Sequence, residues 1–267
     1  MLELLALPPI LKGFVSLLFA GASFPLAGVM VIRLDLLPLR YMLMHALILG
    51  GAFALAFSLP PLLCYVGCCL LVVLAMLLLG RGKMVHLGLS SSVLMVLSMA
   101  VASILMQVRS VPAKDTLELL WGSPFTISIP ELILFLILSV VVALYVALCQ
   151  REISIIFFDG DVAKTMLPHA SLHRSVMVLL IALVVALSMR FVGALLIDAL
   201  LFLPVITATR FVKSLKGLFW LSALVGLLVA FFGYLLALAL NLPPGASVAI
   251  VSSALYGISL IPRRKNA

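Results

Sequence analysis

Two polar residues lie inside long apolar stretches and could bind a cation. His45 belongs to the segment LMHALILGG, and Asp198 belongs to the segment VGALLIDALLFLP. A charged side chain at the centre of a bilayer costs about 3 kcal/mol, so a polar residue retained in an apolar span indicates a function. Histidine is the commonest transition-metal ligand, and aspartate often accompanies it. The pair predicts part of a cation path. The alternative for His45 is an interfacial histidine near a helix end, and the alternative for Asp198 is a packing residue that is hydrogen-bonded.

Motifs for enzymatic chemistry are missing from the sequence. Residues 80–84 come closest to a phosphate-binding loop, but they lack the first spacing glycine and the Ser or Thr that would bind magnesium. The sequence has no GxSxG elbow, no HExxH motif and no pair of acids within one apolar span. We therefore expect a protein that is not an enzyme and does not hydrolyse ATP by itself.

Three of the four cysteines, Cys64, Cys68 and Cys69, lie inside one apolar run and do not resemble a disulfide framework. We interpret them as small residues that face lipid or other helices. Cys64 and Cys68 are one helical turn apart, so a soft-metal pair is the alternative interpretation.

The composition requires these residues to be positioned by membrane-spanning helices. Hydrophobic residues make up 66% of the 267 residues and charged residues only 10%, whereas soluble chains carry roughly 25% charge. One span needs about 20 apolar residues. We therefore predict an all-α polytopic membrane protein with eight to nine transmembrane helices, in a single transmembrane domain covering residues 1–267. The predicted crossings are residues 13–32, 41–59, 62–79, 87–106, 130–148, 175–189, 192–209, 218–240 and 246–261.

The net charge of +8 predicts an orientation in the membrane. With nine crossings and the amino terminus outside, 13 basic residues face the cytoplasm and 4 face the outside, as the positive-inside rule favours. The count of 13 inner basic residues requires that the chain crosses the membrane near Arg190, since otherwise the last two basic clusters would lie outside. The alternative is that residues 175–209 form one bent element. The inner residues are Arg33, Arg40, Arg81, Lys83, Arg151, Lys164, Arg174, Arg210, Lys213, Lys216, Arg263, Arg264 and Lys265.

Two hydrophilic segments are longer than a turn. The outer one, residues 107–129, contains DTLELLW, which predicts a short amphipathic helix with Trp121 at the membrane interface. The inner one, residues 150–174, predicts a short surface helix that Asp159 or Gly160 caps and Pro168 ends. We expect another protein to contact this surface helix.

Glycines inside the predicted crossings permit close approach of helices. Pro204 and residues 242–245 are expected to break helices. The glycines are Gly13, Gly21 and Gly28 in the first crossing, Gly50 and Gly51 in the second, and Gly193, beside Ala194, in the seventh.

Four segments together resemble one known family. VGALLIDALLFLPVITATRF (192–211) and LPPGASVAIVSS (242–253) are similar to two of its carboxyl-terminal stretches. HALILGGAFAL (45–55) and LLWGSPFTISIPEL (119–132) are similar to two further segments, in the same order. The chain resembles the membrane permeases of ABC importers for zinc, manganese or iron, of the ZnuB and MntB type.

The resemblance implies the type II ABC importer permease fold in the bacterial cytoplasmic (inner) membrane, as a homodimer or a closely paired heterodimer. It implies an ATP-binding subunit dimer at the cytoplasmic face and an extracytoplasmic metal-binding protein at the outer face. The cargo would be a divalent metal ion, with zinc favoured and manganese or iron as alternatives, and ATP would bind the partner subunit. No covalently bound cofactor is expected. Two other hypotheses remain. The first is a proton-coupled secondary metal transporter that uses Asp198 and His45, and the second is a structural membrane protein.

The resemblance also places the family's coupling helix on the predicted inner surface helix, at about residues 158–167. In this chain the family's usual Pro is Gly160, its usual Glu is Asp161, and its closing Gly is Leu167. The expected coupling residues are Phe158, Asp159, Gly160, Asp161, Val162, Ala163, Lys164 and Leu167.

The chain departs from the family's metal path at one position. Relatives carry a DxxxH pair at the start of the second crossing, but here Tyr41 stands four residues before His45 and the carboxylate is missing. We hypothesise that Asp198 replaces this acid, which gives His45, Asp198 and Tyr41 as the metal-path positions. The alternative is a permease that holds its ion loosely and leaves selectivity to the external binding protein.

Overall fold

The computed structural model describes residues 7–80, 84–111 and 124–261, and these residues are almost entirely helical. No strand occurs among them. The helices of this part of the chain are α1 (Pro8–Arg33), α2 (Leu37–Phe57), α3 (Pro61–Gly80), α4 (Met84–Val108), α5 (Ile129–Leu148), α6 (Gln150–Phe158), α7 (Gly160–Met166), α8 (Ala170–Val192), α9 (Ala194–Leu201), α10 (Leu203–Thr209), α11 (Leu215–Leu240) and α12 (Pro244–Ser259).

Seven of these helices are long and apolar enough to cross a membrane. Two shorter apolar stretches, Leu195–Thr209 and Pro244–Ser259, correspond to the predicted seventh and ninth crossings. The predicted all-α polytopic membrane fold is therefore confirmed. The long spans are Pro8–Arg33, Leu37–Phe57, Pro61–Leu79, Leu87–Val108, Ile129–Leu148, Ala170–Met189 and Leu215–Leu240.

The predicted seventh crossing is two short helices instead of one span. Helix α8 ends at Val192, and Gly193 follows with a φ of 83°, a conformation that favours glycine because a Cβ would clash with the backbone. Helix α9 ends at Leu201, and α10 begins at Leu203 with Pro204 in its first turn. At about 1.5 Å per residue, this stretch is shorter than a bilayer core of about 30 Å. The alternative of one bent element over 175–209 stays open, and in the structure this stretch is interrupted at Gly193, between α8 and α9.

Contacts divide the described residues into two compact units. The first unit takes its residues from Met1–Val29, Pro124–Ala143 and Leu195–Ala267. The second unit takes its residues from Met30–Ser123 and Leu144–Ala194. The single permease domain expected from the sequence stays a prediction.

In the first unit, glycines let helices approach closely. A Cβ added to Gly28 would overlap the carbonyl oxygen of Leu201, and a Cβ at Gly13 would lie 3.1 Å from the carbonyl oxygen of Pro124. Gly233 packs in the same way against Val248 of α12. Small residues here replace side-chain contact with backbone contact, which is how membrane helices gain packing energy in lipid.

In the second unit, α2 packs against α3, α4 and α8. A Cβ at Gly50 would lie 2.8 Å from the carbonyl oxygen of Cys64, so the predicted close approach at this glycine is confirmed. Cys69 is fully buried, and its Sγ lies 3.9 Å from the carbonyl oxygen of Leu43. Together with the absence of any disulfide among the four cysteines, this supports a packing role for Cys69.

Candidate functional site

His45 lies on the third turn of α2 and is half-buried. Its Nδ1 lies 2.8 Å from the backbone carbonyl oxygen of Tyr41, one turn earlier. A carbonyl only accepts hydrogen bonds, so this contact assigns the proton of the neutral ring to Nδ1. The lone pair is then on Nε2, and a backbone carbonyl on the other ring nitrogen is a common support for a metal-binding histidine.

The imidazole of His45 lines an open cavity of about 400 Å³ in the second unit. Met95, Met99 and Ser103 line it from α4, and their spacing of four residues places them on one helix face. The cavity is therefore mostly apolar, and a histidine, two methionines and a serine are among the residues around it. Thioethers are soft ligands, and imidazole suits zinc, copper, iron and nickel. Val96 and Ala100 complete the lining.

Tyr41 contributes to this arrangement through its backbone. Its side chain is 50% exposed, and its ring lies under the guanidinium of Arg40, 4.8 Å from the ring centroid. Its carbonyl oxygen orients His45, as described above. At the position where the resemblance implies a carboxylate, Tyr41 therefore contributes a backbone carbonyl oxygen that orients the imidazole of His45.

Asp198 lies on α9 in the first unit, whereas His45 belongs to the second unit. The residue is half-buried, and its Oδ1 atom is inaccessible to solvent. Its carbonyl oxygen accepts a hydrogen bond from the N–H of Phe202 at 3.2 Å, where α9 ends. The part of the chain that the structure describes has no group of three His, Cys, Asp or Glu side chains able to hold a metal ion. The replacement of the missing acid by Asp198 stays a prediction.

The surface helix predicted near residue 160 is present as α7, Gly160–Met166. Asp159 precedes it in an extended conformation, and its Oδ1 accepts the N–H of Val162 at 3.1 Å. This is the side-chain cap that the sequence predicts, and it satisfies one of the free N–H groups of the first turn. The N–H of Leu167 bonds to the carbonyl of Ala163 at 2.9 Å, and Pro168 then ends the helix.

Helix α7 has one buried contact and a broad exposed face. Ala163 is 1% exposed, whereas the Phe158 side chain before the helix is 87% exposed. Val162 and Lys164 are also exposed, and Leu167 is half-buried. The side chain of Asp161 lies outside the described residues. Exposed apolar side chains on a short helix outside the long spans are typical of a surface that another protein covers.

The sequence predicts neither the burial of Arg174 nor the methionine face of α4. Arg174 was expected in the inner loop, but α8 begins at Ala170 and Arg174 is buried on its second turn. Met95, Met99 and Ser103 follow a spacing of four, which could have indicated a shared helix face. No local signal in the sequence distinguishes Arg174 from the neighbouring exposed basic residues.

The outer segment was expected to hold the helix DTLELLW with Trp121. Residues 112–123 lie outside the described part of the chain, and so does this prediction. After them, Ser128 precedes α5, and both its N–H and its hydroxyl donate to Oε2 of Glu131, at 3.0 and 2.6 Å. This capping arrangement explains why α5 begins near the predicted residue 130.

A family model and one of the relatives match this chain over nearly its whole length. The model of the ABC 3 transport family matches residues 8–263. The high-affinity zinc uptake system membrane protein ZnuB of Haemophilus influenzae is 27% identical, over 97% of each chain. The manganese import system permease protein ScaB of Streptococcus parasanguinis is 26% identical over 57% of this chain and 55% of that protein. The match to another relative, an uncharacterized membrane protein of Cyanophora paradoxa, covers about half of that protein, 48%.

A solved structure shares the fold. PsaBC from Streptococcus pneumoniae, in complex with Fab, superposes with a TM-score of 0.78 at 20% identity, covering 98% of this chain and 95% of that chain. The helical fold described above is therefore found in that solved structure. Since the family model spans almost all of the described helices, the chain belongs to the ABC 3 transport family of metal permeases.

Proposed function

We propose that this chain is the transmembrane permease subunit of an ATP-binding cassette importer for a divalent transition metal ion. The observation that carries the proposal is the family match over residues 8–263. The capped surface helix α7, where the resemblance implies a coupling helix, supports it. ZnuB is named for zinc uptake and ScaB for manganese import. The chain forms the translocation path, and ATP hydrolysis takes place on a separate subunit.

We favour zinc as the transported ion, over manganese and iron, because of the ligands around His45. The residues around the cavity at His45 include this histidine, two methionines and a serine. Manganese prefers carboxylate, carbonyl and water oxygens, whereas imidazole nitrogen suits zinc. Nε2 of His45 is the first ligand in this proposal, and Asp198 supplies a carboxylate elsewhere on the path. A conduit with few ligands releases its ion readily, as transport requires.

The partners follow from the same proposal. An ATP-binding subunit dimer docks on α7 at the cytoplasmic face, where Phe158 and Val162 offer apolar contacts and Lys164 offers a charge. A metal-binding protein delivers the ion to the outer face, and two copies of this chain form a homodimer. The protein lies in the bacterial inner membrane with its amino terminus outside and its carboxyl terminus inside, as the distribution of basic residues favours. This orientation takes the two short helices α9 and α10 together as the seventh crossing.

Reconstitution in proteoliposomes tests this function. The purified chain, with its ATP-binding subunit and zinc-loaded binding protein, should take up zinc only when ATP is supplied. Uptake by the chain alone, driven by a proton gradient, would instead support the secondary transporter. A complex that hydrolyses ATP without moving zinc, manganese or iron would contradict the metal importer.

A further inference from the structure

Arg174 is a buried charge next to the coupling helix. Its side chain is 8% exposed, and among the described residues it is the one charged side chain in the buried class. Burial of a guanidinium is costly unless its surroundings compensate, so a buried arginine at a surface helix has a specific role. It lies on the second turn of α8, whose span continues into the membrane to Met189.

The guanidinium of Arg174 lies where residue 160 would have a side chain. A Cβ at Gly160 would be 2.6 Å from Nη2 of Arg174. Among the described glycines, only Gly193 has a positive φ. The backbone at Gly160 therefore has a conformation that residues other than glycine also adopt. A methyl group at residue 160 would therefore have to displace the guanidinium of Arg174 from this contact. The first residue of α7 and the second turn of α8 are in direct contact through this pair.

The contact lies beside a small cavity within the second unit. This cavity has a volume of about 140 Å³ and is lined from α6, α7 and α8 by residues that include Ile156, Ala163 and Ser175. Gly160 and Arg174 both line it. Leu77 of α3 and Leu87 of α4 also line it, so Arg174 and Gly160 meet at the edge of a space shared by five helices.

Helix α8 is in turn tied to α5 one residue before Arg174. The hydroxyl of Tyr145 donates to the carbonyl oxygen of His173 at 3.2 Å and lies 3.3 Å from its Nδ1. A displacement of α7 that moves Arg174 would therefore act on α8 next to the residue that is hydrogen-bonded to the long span α5.

We propose that Arg174 is the positioning residue that fixes the amino end of α7 to α8 through Gly160, so that movement of α7 is passed to the membrane span. This inference rests on the proposed function of α7 as the coupling helix. It assigns Arg174 no contact with the metal ion or with ATP. Without the guanidinium, α7 would still form, because its cap belongs to Asp159, but it would move independently of α8.

A double-mutant cycle on the purified full-length permease tests the contact. We expect Gly160→Ala to lower the Tm by about 3 °C, and by less than about 1 °C in the Arg174→Ala background, because the truncation makes room for the new methyl group. Equal shifts in both backgrounds would overturn the proposed contact. This readout does not depend on what the protein transports.

The second readout is coupling in the reconstituted complex, measured as zinc ions taken up per ATP hydrolysed. Arg174→Ala should lower this ratio about tenfold while ATP hydrolysis continues, and Arg174→Lys should restore part of it because lysine retains the charge without the planar fork. Arg151→Ala is the control, since Arg151 is an exposed basic residue of α6, and it should leave the ratio unchanged.

The outcomes separate this inference from the proposed function. A wild-type ratio in Arg174→Ala, in a complex whose zinc uptake requires ATP, would overturn the positioning role and leave the function intact. If the wild-type complex showed no ATP-dependent uptake, the function would fail, and the stability cycle would still decide the contact. If Arg174→Ala does not fold, Gly160→Ala and Arg174→Lys are used for both the thermal unfolding and the coupling measurements. A wild-type ratio of zinc uptake to ATP hydrolysis in both of these variants would then overturn the proposal.

Discussion

Gly21 of α1 and Gly226 of α11 face each other so closely that each would clash with the other's backbone if it carried a side chain. A Cβ at Gly21 would lie 2.5 Å from the carbonyl oxygen of Gly226, and a Cβ at Gly226 would overlap the carbonyl oxygen of Gly21. The contact is reciprocal and joins two spans of the first unit that are 205 positions apart in sequence numbering.

Gly226→Ala should therefore destabilise the protein by about 1 to 3 kcal/mol, the usual cost of adding atoms to a packed site. The matched control is Gly257→Ala on α12, where an added Cβ would have no neighbour within 4 Å. Thermal unfolding of both variants in detergent measures the difference. Equal unfolding temperatures for the two alanine variants would contradict the close packing at Gly226.

Replacement of His45 should remove the first ligand of the proposed path. His45→Ala is expected to reduce zinc uptake by at least about tenfold, a typical cost of disturbing a metal site. Its unfolding temperature should change little, because the imidazole is half-buried and lines an open cavity. Uptake and thermal unfolding, measured on the same preparation, separate the two effects. Undiminished uptake would exclude His45 from the path.

Tyr41→Asp should shift the preference between metal ions. The substitution restores a carboxylate one turn before His45 and keeps the backbone carbonyl that orients the ring. Because carboxylate oxygen suits manganese better than thioether does, the ratio of manganese to zinc uptake should rise, by about tenfold if the new ligand contributes 1.4 kcal/mol. Tyr41→Phe is the control and should leave the ratio unchanged. An unaltered ratio in Tyr41→Asp would mean that the ion does not pass this position.

Asp198→Asn tests whether a carboxylate on α9 takes part in transport. The variant keeps the size of a side chain whose Oδ1 is buried and removes its negative charge, so zinc uptake should fall about tenfold or more. Asp35→Asn, at an exposed left-handed position between α1 and α2, is the matched control. If the purified transporter with Asp198→Asn moved zinc as well as wild type, the hypothesis for Asp198 would be wrong.

Cys149 can report the orientation of the chain. It lies between α5 and α6, and burial, followed by the negative charge of Glu152, raises the pKa of its thiol. A raised pKa means less thiolate at a given pH, so maleimide labelling should be slow at neutral pH and accelerate as the pH rises. Glu152→Gln should label faster than wild type at pH 8, because one of the causes of the raised pKa is removed.

With a membrane-impermeant maleimide, the peptide containing Cys149 should be labelled in inverted vesicles and not in intact cells. Mass spectrometry locates the label and distinguishes Cys149 from the cysteines of α3. Labelling from the outside only would reverse the orientation that the positive-inside rule favours.

The sequence by itself determined the class of the protein, most of its spans and the surface helix. These follow from local causes: runs of apolar residues long enough for a bilayer, Asp159 as a cap and Pro168 as a terminator. Gly13, Gly21, Gly28 and Gly50 could also be recognised as packing positions, because small residues inside spans are typical of helix contacts.

The tertiary structure alone decided which glycines pack and where the charges lie. A Cβ added at Gly226 would clash with α1, whereas a Cβ added at Gly257 would have no neighbour within 4 Å. Both glycines lie in apolar helices, and packing depends on which helix a face meets. The break at Gly193, the buried position of Arg174 and the carbonyl of Tyr41 on His45 arise for the same reason. Each depends on backbone direction and on neighbours distant in sequence, which hydrophobic periodicity does not encode.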